Sequence, residues 1–130
     1  MSFIKKKFKL LNKANLILKT SSAKAKGRRL QQWVRNKLIE LLSVDPEDIE
    51  SRPMGSSGED LIMGVQTKKI FPYSIECKNQ EAVNVWKAYE QCSSNTSPNV
   101  ESLVIIKRNK SKPLALVDAE YFINLHKDDG

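Results

Sequence analysis

Apolar residues recur along this chain with two different periods, and the changes of period mark out its elements. Over residues 24–42 they return every three or four positions (Leu30, Trp33, Val34, Leu38, Leu41 and Leu42), as on one face of an amphipathic helix. Arg28, Gln31, Gln32 and Arg35 recur on the opposite, polar side. Ser21 and Ser22 offer N-cap hydroxyls, and Asp45-Pro46 ends the helix because proline disfavours helical geometry in the residue before it. Short strand-like runs follow at 49–54, 60–65 and 73–78. Gly55-Ser56-Ser57-Gly58 separates the first two and a turn at 66–69 the next, so three antiparallel strands are expected, with Pro53 keeping the first at an edge. Ala82, Val85, Trp86, Tyr89 and Cys92 return to helical spacing and predict a helix over 81–93. Residues 103–106 are continuously apolar, as in a strand covered on both faces. A basic turn at 107–112, a strand at 114–117 and a helix at 119–126 complete the order.

A strand–helix–strand crossover joined to a meander predicts a single-domain α/β fold, a central mixed sheet flanked by helices. The length of 130 residues suits one domain, and 40% hydrophobic residues supply a core without staples. Two cysteines among many lysines do not make a secreted disulfide scaffold, so a reducing, intracellular setting is expected. No apolar run approaches the length of a membrane span.

Charge divides the chain. Residues 1–39 contain 12 basic side chains and no acid, while the other 91 contain 10 basic and 15 acidic groups. A basic N-terminal segment (1–39) on a mildly acidic remainder (40–130) is the footprint of a polyanion partner, and the boundary between arm and domain is placed after residue 20, giving an arm at 1–20 and a domain at 21–130. Nucleic acid is the leading candidate over an anionic membrane surface; a solubilising tail or a mitochondrial transit segment has the same composition. Within the arm, Ile4, Phe8 and Leu11 fall at helical spacing, and 16–18 reads as a short extended or helical piece.

The residues that carry chemistry lie on the middle strands. Glu76 and Lys78 share one face of a strand and Ile75 and Cys77 the other, and strand pairing can bring Asp60 beside Glu76. Paired carboxylates repel unless a hard cation sits between them, and Mg²⁺ favours one or two carboxylates with phosphate oxygens completing its shell. Lys78 can then position the attacking water and stabilise charge on a phosphate in transition. No cysteine or histidine spacing fits zinc, and no phosphate-binding glycine motif points to a nucleotide cofactor.

Asp60, fifteen intervening residues, then Glu76-Cys77-Lys78 resembles the PD-(D/E)XK nuclease signature, and the element order is similar to that superfamily's restriction-endonuclease-like α-β-β-β-α-β core. Lys26-Gly27-Arg28-Arg29-Leu30-Gln31 and the Gly55–Gly58 loop resemble small archaeal and phage-type Holliday-junction resolvases. The resemblance spans about residues 26–107. It implies metal ligation by Asp60, Glu76 and the backbone carbonyl of Cys77, a catalytic Lys78, and Mg²⁺, replaceable by Mn²⁺. It also implies a homodimer, branched DNA as partner, and a prokaryotic or phage-infected cytoplasm. Two departures stand out. Gln31 or Gln32 occupies the place of the resolvases' helix glutamate, Gln31 being the one expected to support the site without charge, and Glu59, not proline, precedes Asp60 and offers an extra acid. Expected DNA contacts are Lys26, Arg28, Arg29, Arg35, Ser57, Asn79, Lys87 and Gln91, with Asn79 alternatively capping the following helix. Trp33, Trp86 and Tyr89 are expected in the core. Two other readings stay open: a nuclease of the same fold for flaps, nicks or linear DNA, and a DNA-binding protein without catalysis.

Overall fold

Residues 3–42 contain no proline and a single glycine, and they form one uninterrupted helix, α1 (Phe3–Leu42), in a computed structural model of the chain. The structure describes residues 3–128, and within α1 the side chains of 4–7, 9–13 and 21–42. Ser21 and Ser22 therefore lie inside the helix instead of capping it, and α1 crosses the expected arm–body boundary without a break. The expectations for Phe8 and for the side chains of 16–18 lie outside the described residues. Ser43, in the left-handed region at φ 56°, ends α1, and the amide of the buried Val44 turns back to the Leu38 carbonyl at 3.4 Å.

Asp45 then caps a single 3-10 turn (Pro46–Asp48) by accepting from the Glu47 amide. Strands β1 (Ile49–Ser51) and β2 (Leu61–Met63) pair antiparallel, Ile49 opposite Met63. Where a turn was expected at 66–69, a short helix α2 (Val65–Ile70) forms instead. The Asp48 carboxylate accepts from both the amide and the hydroxyl of Thr67 at 2.7 Å and holds this helix in place. Gly64 permits the approach, because a Cβ there would stand 1.8 Å from the Asp48 Oδ1.

Strand β3 (Tyr73–Asn79) runs parallel to β4 (Glu101–Lys107) through helix α3 (Val85–Ser94), and β5 (Leu114–Leu116) adds antiparallel to β4. Helix α4 (Ala119–Asn124) closes the described chain. The architecture is thus a single α/β domain with mixed sheet pairing and flanking helices. The expected three-stranded meander is divided, however: β1–β2 is one sheet and β3–β4–β5 another. The α2 helix turns the chain out of the first sheet. The two sheets share one core, Ile49, Leu61 and Met63 packing with Ile75, Cys77, Leu103 and Ile105, and at the start of β2 the Asp60 amide donates to the Ile75 carbonyl at 3.0 Å.

Alternation along β3 and β4 builds a core on each face. Ile75, Cys77, Leu103 and Ile105 pack beneath Leu30, Val34 and Leu38 of α1, and Val104 packs with Ala88 and Cys92 of α3. The expectation that 103–106 is covered on both faces is met at 103–105, while Ile106 is half-buried. The tryptophans are a correction. Trp86 is 80% exposed and Trp33 42%, because the sheet is met by the narrower stripes Ala88/Cys92 and Leu30/Val34/Leu38. Helix α3 also starts later than expected, because Asn84 caps it by accepting from the Lys87 amide at 3.1 Å. Asn79 therefore caps nothing. It ends β3, and its side chain donates to the Lys26 carbonyl at 3.0 Å.

Candidate active site

Asp60 sits one residue before β2, where the chain passes the free edge of β3. Its carboxylate accepts from the Cys77 amide at 2.6 Å, standing where a paired strand would place a carbonyl. In an extended strand the amide and carbonyl of one residue point to the same side, so the Cys77 carbonyl also faces this edge. Glu76, 5% exposed, lies on the α3 face of the strand, and Lys78, two residues on, approaches it at 3.5 Å. Gln31 enters from α1. It is 3% exposed, not part of a solvated stripe, and its side-chain oxygen accepts from the Ser51 hydroxyl.

These groups line one cleft of about 240 Å³ together with Ala23 and Gly27 of α1, residues 53–56 of the loop, and Cys77, Asn79 and Gln80. The Met54 methyl lies where a side chain at Gly27 would extend, so the glycine lets the loop lie against the helix. Larger hollows of about 590 and 570 Å³ lie beside 80–85 with 106–114, and between Tyr73, Leu103 and α4. Neither is lined by a pair of carboxylates, so the chemistry selects the smaller cleft.

The electrostatics of the cleft are unfavourable for two anions. Burial raises the Glu76 carboxyl above its ordinary range, the neighbouring Asp60 raises it further, and Lys78 opposes both. Burial also raises Asp60, against the Cys77 amide, Lys78 and Arg52. A bound cation would relieve this, and two carboxylates with a carbonyl suit a hard ion that keeps several waters. Among the described residues no group of three or more His, Cys, Asp and Glu side chains stands close enough to hold a metal, so any ion here would rest on two carboxylates and backbone oxygen. Burial pushes the Cys77 thiol well above its ordinary value, leaving it a neutral core side chain.

The other expected site residues are dispersed around the cleft and beyond it. Lys78, Gln80, Lys87 and Gln91 line an adjoining hollow of about 240 Å³, so Lys87 and Gln91 continue the cleft along α3. Lys26 and Arg29 line a third hollow with Asn79, and Arg28 is exposed on α1. Arg35 is turned elsewhere: it donates to the Ile49 and Pro46 carbonyls at 2.9 and 2.8 Å and braces the turn after α1. Ser57 is exposed in the loop, and its neighbour Ser56 lines the cleft instead. Glu59 is not an extra acid of the cleft. It pairs with Lys68 at 2.8 Å and accepts from the Ser74 hydroxyl at 3.0 Å. Sequence reasoning missed Gln80, which bridges two hollows, and Lys107, which ends β4 as Lys78 nears the end of β3. The rule that ligands gather at the carboxyl ends of parallel strands points to both.

No protein-family model matches this chain, and no curated protein or solved structure matches it either. Among the described residues no helix is long and apolar enough to cross a membrane.

Proposed function

We propose that the protein is a Mg²⁺-dependent endonuclease of the PD-(D/E)XK type acting on branched DNA, as a homodimeric Holliday-junction resolvase of the prokaryotic or phage-infected cytoplasm. The observation that carries this reading is the meeting of Asp60, Glu76 and Lys78, with Gln31, in one cleft at the free edge of a strand. Asp60, Glu76 and the Cys77 carbonyl would hold Mg²⁺ or Mn²⁺, which when bound supplies a Lewis acid against phosphate charge. Lys78 orients the attacking water and offsets the negative charge that grows on the phosphate oxygens. Gln31 adds an amide dipole without charge. Lys26, Arg28, Arg29 and Lys87 flank the cleft and bind backbone phosphates without reading sequence, as do the lysines of α1 that precede it. Two copies would cut a junction symmetrically.

The test is cleavage of a labelled four-way junction beside matched linear duplex and single strand, with and without Mg²⁺, for wild type and Lys78→Ala. Paired cuts in the junction, lost in the variant, support the resolvase. Cutting of every substrate keeps the nuclease and discards the junction preference. Gln31 in place of a third acid favours one second reading, a DNA-binding protein without hydrolysis. Binding without cutting in either metal, together with cutting restored by Gln31→Glu, would establish it.

A further inference from the structure

The hollow that Lys26 and Arg29 share with Asn79 lies beside the candidate active site, and its make-up differs. Lys26, Arg29, Leu30 and Trp33 reach it from α1 at spacings of three, four and seven, one face of the helix. Lys107 at the end of β4, with Asn109 and Pro113 of the following turn, forms the opposite wall. The volume is about 280 Å³, just below the range of small-molecule pockets, which starts at roughly 300 Å³. Three cations and an indole line it, and among the described residues no acid does.

Trp33 is the informative member. Its helix neighbours Leu30 and Val34 are buried, at 2% and 5% exposed, whereas the indole is 42% exposed beside the three cations. The Lys37 ammonium stands 5.9 Å from the ring centroid, a cation–π contact that restrains the ring. A flat aromatic surface ringed by cations suits one chemical unit, a planar base joined to a phosphate. Such platforms bind single-stranded nucleic acid, the base stacking on the ring and the cations following the backbone. A base within a duplex already has both faces stacked, so duplex DNA cannot use the indole.

Asn79 lines both this hollow and the cleft of Asp60, Glu76 and Lys78, and its side-chain bond to the Lys26 carbonyl fixes the wall between them. A strand whose phosphate lies in the cleft therefore has a neighbouring nucleotide within reach of Trp33. We infer that the hollow of Trp33, Lys26, Arg29 and Lys107 is a seat for one unpaired nucleotide of a DNA strand, and that it selects DNA with unstacked bases near the cut. The inference rests on the nuclease reading for its biological meaning, but its test needs no cleavage.

Binding is measured in chelator, with Trp86→Phe as the background so that Trp33 is the only indole. The probes are a short oligothymidylate, a four-way junction, a matched duplex and thymidine monophosphate. Trp33 fluorescence is expected to be quenched by the oligothymidylate and the junction but not by the duplex. Trp33→Ala, in the otherwise natural chain, should weaken oligothymidylate binding roughly tenfold to a hundredfold and leave duplex binding unchanged. Trp33→Phe should restore most of the loss, and Lys107→Gln should weaken the same probe without touching the helix. Equal loss for duplex and single strand, or no quenching by the oligothymidylate, would overturn the seat. Quenching by thymidine monophosphate as tight as by the oligonucleotide would overturn it as a strand-binding site and make it a pocket for free nucleotides. If the seat binds and no DNA is cut in Mg²⁺ or Mn²⁺, the nuclease reading fails and the seat stands.

Discussion

Glu59 and Asp60 are adjacent in the chain, and each belongs to a cluster of acid and lysine on the same face of β3, yet the clusters are built to different ends. Glu59 is saturated. The Lys68 ammonium meets it at 2.8 Å and also donates to the Tyr73 carbonyl, and the Ser74 hydroxyl donates to its other oxygen. Glu76 has only Lys78 to oppose its charge, at 3.5 Å, and Asp60 shares that lysine, with Arg52 and the Cys77 amide also favouring its carboxylate. The first cluster fastens α2 to the sheet edge. The second keeps two carboxyls whose charged forms burial disfavours, with less compensation than Glu59 receives.

The sharpest way to break this contrast is to exchange the fates of the two lysines. Lys78→Ala should lower cleavage roughly 10²- to 10⁴-fold with DNA binding retained, whereas Lys68→Ala should leave the specific activity of folded protein unchanged. Equal losses in both variants, measured on junction substrate at matched folded concentration, would dissolve the distinction.

Stability should run the other way. Lys68→Ala leaves Glu59 without its partner in a mostly buried place and should cost about 1–3 kcal/mol in urea denaturation. Lys78→Ala breaks a looser pair, 3.5 Å apart, and Glu76, whose carboxyl burial already raises, can take up a proton in its place, so the cost should be smaller than for Lys68→Ala.

A subtler consequence concerns Glu76→Gln. Folding raises the Glu76 and Asp60 carboxyls above their ordinary values, so between the ordinary and the raised pKa the folded chain holds more protons than the unfolded one. Stability from these groups is greatest below the ordinary carboxylate range and falls as pH rises through the raised values. In chelator at neutral pH the Gln variant should therefore melt a few degrees above wild type, and the gap should close on acidification. Added Mg²⁺ should raise the wild-type midpoint and leave the variant's unmoved. Calorimetry from acid to neutral pH reads all three effects.

The smallest expected effect is on salt dependence. Lys87→Ala should reduce the slope of log affinity against log salt by about one, the signature of one lost phosphate contact. Lys68→Ala should leave the slope as it is, since Glu59 already holds that ammonium.

Much of the site was legible because its residues lie on elements with strong local signals. The alternation of Ile75, Glu76, Cys77 and Lys78 announces a strand with one chemical face, and the apolar run at 103–106 announces its buried neighbour. Asp60 was placed beside Glu76 by the assumption of a paired hairpin. The structure brings it there by another route, its carboxylate standing in for a ladder carbonyl. The short helix at Val65–Ile70 was illegible because six residues carry too little periodicity to separate a helix from a turn, and Asp48, 19 residues away from Thr67, helps stabilise it. The burial of Gln31 was hidden for a similar reason. Helical spacing set it on the polar side and the family resemblance at the site, but neither showed that the hydroxyl of Ser51, carried in by β1, would meet its side-chain oxygen in a buried place.

The amino-acid order by itself determined the basic N-terminal third, the alternating strands and the acid and lysine that β3 displays, since those follow from charge and from periods of two and 3.6. It also bounded α1, since Pro46 bars helix beyond the residue before it, although the stop itself comes earlier, at the left-handed Ser43. Only the tertiary structure decided which neighbouring acid is neutralised and which is left exposed to its own repulsion, and which aromatic is covered and which stands open beside lysines. Those outcomes depend on partners tens of residues away. A charge or ring is priced by the water and counter-groups that packing leaves around it, and no local pattern contains them.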